Sequence, residues 1–196
     1  EDENWDLEAN PTGIKTLNPF IQSRSKDMEK KHQINTNVYG IIDVPWVSGL
    51  RYQLNYSYRL SASNSGNFNI FKDNLQGHGE KSYGNDYYWL LDNILSYNRS
   101  FNRHNLSLTF VYGLNKRKHD TASATGTGYD TDVLGYNSLE LGTLQVISSS
   151  GYEESSLYQM GRISYNYAGR YLFNATLRRD GFSGFAENHK FGLFPS

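Results

Sequence analysis

The chain contains no cysteine, so a disulfide scaffold and a thiolate metal site are both excluded. It has no charge excess of either sign, with 19 Lys and Arg against 20 Asp and Glu and a net charge of −1. No basic tail or acidic arm therefore points to nucleic acid through a bulk field. Long apolar runs are missing as well. Mean hydropathy is −0.67, and no stretch approaches the roughly 18 residues that a transmembrane helix needs. A helical membrane protein is excluded. Glu1-Asp2-Glu3-Asn4-Trp5 carries neither an initiator Met nor a basic-then-apolar leader, so any targeting signal is expected to lie outside these 196 residues.

Aromatic residues, by contrast, are plentiful. They make up 15% of the chain, and 16 of them are Tyr, against 37% hydrophobic residues in all. A compact soluble core is built mainly from Leu, Ile, Val and Ala, whereas Tyr suits half-wet surfaces and membrane interfaces. Composition leaves two classes open, a Tyr-rich soluble β protein and a piece of an outer-membrane β-barrel.

The pattern along the chain discriminates between them. From Leu50 to Leu60 every even position is Leu or Tyr and every odd position is Arg, Gln, Asn or Ser. Unbroken period two is a pattern only a strand can use to sort its faces. Eleven residues also match the roughly 9–11 that a tilted strand needs to cross a bilayer. Soluble strands more often run to about 5–6. The same grammar predicts strands over 32–43, 87–98, 105–115, 157–167 and 170–179. The links Val44–Gly49, Arg99–His104 and Ala168-Gly169 are short and turn-like, which gives about six strands in three hairpins. Between hairpins the connections are long and polar, 61–86 and 116–156. A compact domain rarely carries structureless loops beyond about 12–15 residues, whereas outer-membrane barrels combine short periplasmic turns with long extracellular loops. The expected fold is all-β, a segment of an antiparallel up-and-down transmembrane β-barrel. The alternatives are a secreted or surface β-sandwich used for adhesion, and a barrel scaffold that does not transport.

On the barrel reading Arg51, Gln53, Asn55 and Arg59 face a watery lumen, and the even positions of 50–60 meet lipid. Trp46, Tyr52, Tyr56, Tyr58 and Trp89 are candidates for the aromatic girdle at the headgroup level.

Several chemistries are absent from the pattern. His32, His78, His104, His119 and His189 form no close pair with zinc-ligand spacing. Gly181-Phe182-Ser183-Gly184 is followed by Phe185 where a nucleophile elbow needs Gly. Asp130 and Asp132 behind Gly126 and Gly128 are a weak candidate for Ca²⁺, but a single copy cannot stack a binding turn. The four sequons at Asn55, Asn98, Asn105 and Asn174 fall in or beside strands and are read as coincidence. Lys116-Arg117-Lys118 suits a solvated charge cluster or contact with lipopolysaccharide, not nucleic acid. No enzyme activity and no cofactor are expected.

The C-terminal third carries motifs in a specific order. Gly161-Arg162-Ile163-Ser164-Tyr165-Asn166-Tyr167 is followed by a short turn, by Arg178-Arg179-Asp180-Gly181, and by Gly192-Leu193-Phe194-Pro195-Ser196. Upstream stand Trp89-Leu90-Leu91-Asp92-Asn93 with Leu95 and Tyr97, and Asn18-Pro19-Phe20 near the start. Together these resemble the SusC/RagA-like TonB-dependent outer-membrane transporters, from about residue 18 to the end. The family's usual basic residue near Gly184 is missing, and Phe182 replaces a small one. The resemblance implies a 22-stranded barrel with a plugged lumen, so residues 1–196 are expected to be a partial barrel domain whose plug, TonB box and remaining strands lie elsewhere. A seventh strand is expected to begin at Phe194-Pro195-Ser196. It further implies import of a glycan or peptide driven by TonB through the plug, with a SusD-like lipoprotein over the mouth.

Overall fold

The computed structural model describes residues 25–69 and 77–196. They form seven strands, β1 (Lys26–Asp43), β2 (Leu50–Asn69), β3 (His78–Phe101), β4 (His104–Thr127), β5 (Leu144–Tyr167), β6 (Tyr171–Phe182) and β7 (Phe191–Pro195). These make one sheet in sequence order, β1 through β7. The only helical elements among the described residues are two short 3-10 turns, Gly135–Asn137 and Leu139–Leu141.

The three expected hairpins are present, and the fold differs from the sequence reading in two ways. A seventh strand exists and starts at Phe191, earlier than Phe194. The stretches read as long loops are strand over most of their described length. β2 runs on to Asn69 and β3 begins at His78, while β4 runs to Thr127 and β5 begins at Leu144. Those stretches are mostly polar, and their few apolar residues, such as Phe68, Leu144, Val146 and Ile147, do not keep up the alternation by which a strand is recognised. Asn18-Pro19-Phe20 lies outside the described residues.

Tight turns make the short links. Ala168 and Gly169 both have positive φ, +53° and +70°, the backbone of a primed hairpin turn whose twist matches that of its strands. Arg170 N–H donates to Tyr167 O at 3.0 Å, and Gly169 N–H to Asn166 Oδ1 at 2.9 Å. Asn102 turns the second hairpin with φ +51°. Gly49 closes the first, with φ +88°. A Cβ there would run into the carbonyl of Asn98, whose N–H donates to Gly49 O at 2.8 Å.

The described chain forms two compact units. The first takes in residues 62–85 and 120–150 together with the start of β1. It has a small aromatic core in which Phe68, 1% exposed, meets Tyr129 edge to face at 4.9 Å. Glycines make room for it. A Cβ at Gly66 would stand 2.8 Å from the Tyr136 ring, and one at Gly79 would stand 2.8 Å from both Leu139 and the Tyr129 hydroxyl. Burial, with the Glu140 charge second, pushes the Tyr129 phenol above its ordinary value.

The second unit takes in 33–61, 86–119 and 151–196, and here the faces separate. In the β5–β6 register Gly161 pairs with Leu177, Ile163 with Ala175, Tyr165 with Phe173 and Tyr167 with Tyr171. The alternate pairs are Tyr158 with Asp180, Met160 with Arg178, Arg162 with Thr176 and Ser164 with Asn174. Directly paired residues share a face, so one side is apolar and the other mostly polar. The apolar side is bare. Val38 is 59% exposed and Phe173 56%, and Ile34, Ile42, Phe110 and Leu177 are also exposed. Phe68 and Tyr129 are the only buried hydrophobic side chains among the described residues, and both belong to the first unit. A β-sandwich would cover its apolar face with a second sheet; the described strands form a single sheet.

Candidate functional site

The polar face of the second unit brings chemically distinct side chains together. On β2, Arg51 Nε donates to Asp43 Oδ1 at 2.7 Å, Gln53 Nε2 to Asn55 Oδ1 at 2.8 Å, and Arg59 Nε to Asn35 Oδ1 at 3.1 Å. The four residues singled out in the sequence thus share one face with the odd positions of β1. Both arginines are exposed and linked to the neighbouring strand rather than to a pocket.

Two further clusters on this face were not singled out. In the first, Asp86 Oδ2 on β3 accepts from Arg117 Nε and Nη2 on β4 at 2.9 and 2.7 Å, and lies 3.3 Å from His119 Nδ1. Residues 117 and 119 sit two apart on one strand and so on one face. The hydrogen bonds from Arg117 hold the Asp86 carboxyl below its usual value, with His119 adding to the effect. His119 stacks on Tyr152 of β5 with centroids 5.2 Å apart, and the Arg117 guanidinium lies 5.9 Å from the same ring.

The second cluster is centred on Tyr158 of β5, whose hydroxyl donates to Asp92 Oδ1 on β3. The Arg178 guanidinium lies 4.8 Å from the Tyr158 ring and is itself held by both Asp180 oxygens, at 2.8 and 2.9 Å. A sequence signal for these residues existed. Trp89, Leu91, Leu95 and Tyr97 take the odd positions of their strand, which leaves the even positions, Asp86 and Asp92, for the opposite face.

The aromatic candidates scatter. Trp46 stands in the β1–β2 turn and is 84% exposed. Tyr52 donates to Asn93 Oδ1 at 2.6 Å and is half-buried, Tyr56 is exposed, and Tyr58 and Trp89 are half-buried. Asp130 and Asp132 find no third acidic or His ligand among the described residues. Lys26 Nζ donates to the carbonyls of Asp132 and Val133 at 2.7 and 3.1 Å, so an ammonium already occupies oxygens that a calcium ion would want.

No protein-family model matches the chain. Among curated proteins it is 31% identical over 193 residues to TonB-dependent receptor P3 of Formosa agariphila, which covers 95% of this chain and 19% of that protein. It is 26% identical over 189 residues to TonB-dependent receptor P39 of the same organism, covering 91% and 18%. The chain is a barrel segment of the TonB-dependent receptor family. It spans about a fifth of the length of these TonB-dependent receptors. The structure of the RagAB peptide transporter shares its fold, with a TM-score of 0.81 at 18% identity, covering 92% of this chain and 21% of that one. The RagAB peptide importer in its open-open state gives the same TM-score at 17% identity.

Proposed function

We propose that the chain is part of the wall of an outer-membrane importer that takes up a large nutrient, a glycan or a peptide, with energy relayed by TonB through a plug domain. The apolar face meets the hydrocarbon of the bilayer and the polar face meets the lumen, where Arg51, Gln53, Asn55 and Arg59 line the solute path. A SusD-like lipoprotein covers the extracellular mouth, and the polar ends of β2–β5 reach toward it. The observation that carries this reading is the bare apolar face. Leu, Ile, Val, Phe and Tyr side chains stand exposed along one side of a single sheet, while the other side carries most of the charged and amide side chains along with a few exposed apolar ones such as Tyr39 and Leu172. In water that arrangement leaves large apolar area unburied. In a bilayer the same area is satisfied, and only the closed barrel form pairs every backbone group.

The test is made in the full-length protein. Replacing both Arg51 and Arg59 with Ala is expected to change the uptake rate while the barrel still assembles in the outer membrane. An assembly defect with unchanged uptake per assembled barrel would overturn the lumen placement.

A further inference from the structure

The Tyr158 cluster has an unusual geometry. Side chains on a strand stand roughly perpendicular to the sheet, yet Tyr158 on β5 reaches Asp92 on β3, and β4 runs between them. Two strand spacings amount to roughly 10 Å, so the ring can span them only by lying down across β4. The residue beneath it is Gly113. A Cβ there would run into the Tyr158 ring and stand 2.7 Å from Asp92 Oδ1. Glycine inside a strand weakens it and commonly marks a close approach by other atoms; here the approaching atoms are those of the Tyr158 ring. Gly113 is itself buried. Arg178 then covers the ring, and Asp180, directly opposite Tyr158 in the β5–β6 register, holds Arg178.

We infer that Gly113, Asp92 and Arg178 form a clamp that keeps the Tyr158 ring flat on the polar face, and that this clamp sets the clearance for solute along that part of the wall. The inference rests on the lumen reading above and adds residues that control size. With the clamp intact the aromatic body adds little depth to the wall. Once released, Tyr158 takes the ordinary perpendicular orientation and its full length projects into the passage. Tyr158 and Gly113 are therefore positioning residues, and the property they control is calibre.

The test needs no knowledge of the substrate. Asn174→Cys places a thiol on the same face, nearer the Ala168-Gly169 turn than the clamp, in a stretch that has no cysteine of its own. Cells carrying the full-length protein are treated with membrane-impermeant maleimides of graded size. Tyr158→Phe, which keeps the ring and loses its anchor, is expected to slow the largest reagents several-fold and leave the smallest unchanged. Gly113→Ala should do the same more strongly, and Tyr158→Ala should show no slowing by itself and remove it when combined with Gly113→Ala. An unchanged size profile in Tyr158→Phe and Tyr158→Ala overturns the clamp, whatever the fate of Gly113→Ala. Failure of even the smallest reagent to label Asn174→Cys once the plug has been deleted from the full-length protein brings down the lumen reading, and the clearance role with it.

Discussion

At the residue scale the two faces make unequal demands on adjacent positions. Ile163 and Ser164 are neighbours in β5, yet Ile163 pairs with Ala175 on the apolar side and Ser164 with Asn174 on the polar side. An arginine facing lipid near the bilayer midplane costs about 2–4 kcal/mol, whereas one facing the lumen finds water. Ile163→Arg is therefore expected to destabilise the full-length barrel by about that amount, and Ser164→Arg by much less, as read from chemical unfolding in lipid or detergent. Equal costs would mean that the apolar side does not meet hydrocarbon. This alternation was legible in the sequence because its two residue sets differ chemically. The clamp was not. Even position 92 can be assigned a face from Trp89, Leu91, Leu95 and Tyr97. Nothing local says that Tyr158 lies opposite it with Gly113 between, since that depends on the register of three strands.

At the element scale, length distinguishes these strands. β3, β4 and β5 each have 24 residues, well over the roughly 9–11 that a bilayer crossing takes. The surplus residues, such as 61–69 and 116–127, are mostly polar on both faces, with Phe68 the one large apolar side chain among them, so no period is imposed on them and a sequence reading returns a loop. What organises the first unit instead is a handful of glycines that admit Tyr129 and Tyr136, and single glycines carry no periodic signal. The turns behave differently because their chemistry is local. Gly169 must hold φ +70°, where a β-branched side chain is strained. Gly169→Val is expected to cost about 1–3 kcal/mol and to slow assembly of the full-length barrel, measured by the rate at which its heat-sensitive folded form appears on a gel. Ala168→Gly, which relieves the φ of +53°, should leave assembly unchanged or faster. A Gly169→Val barrel that assembles at the parent rate would show that another contact, such as Ala168 N–H to Arg103 O at 2.7 Å, sets the turn alone.

For the molecule as a whole, the described strands form one sheet with two end strands, and among the described residues no second sheet covers the hydrophobic side of the second unit. β1 and β7 have one neighbour each in the seven-stranded order, so each presents a row of unpaired backbone groups. An exposed edge strand templates pairing with other chains, and an apolar surface of this extent drives association in water. Neither solvent suits the piece alone. Water penalises the bare face, and hydrocarbon penalises the free edges, since only a closed barrel satisfies both. Residues 25–196 produced by themselves are therefore expected to aggregate in buffer, to need detergent to stay dispersed, and to show no cooperative melt. A soluble monomer with a single sharp thermal transition would mean that the apolar face is covered by some element of this chain, and the bilayer would lose its place in the account. With the faces placed as proposed, the second unit has no core of its own to close around, since both buried hydrophobic side chains among the described residues belong to the first. Strand neighbours on either edge, such as a closed barrel has, are then what would stabilise it.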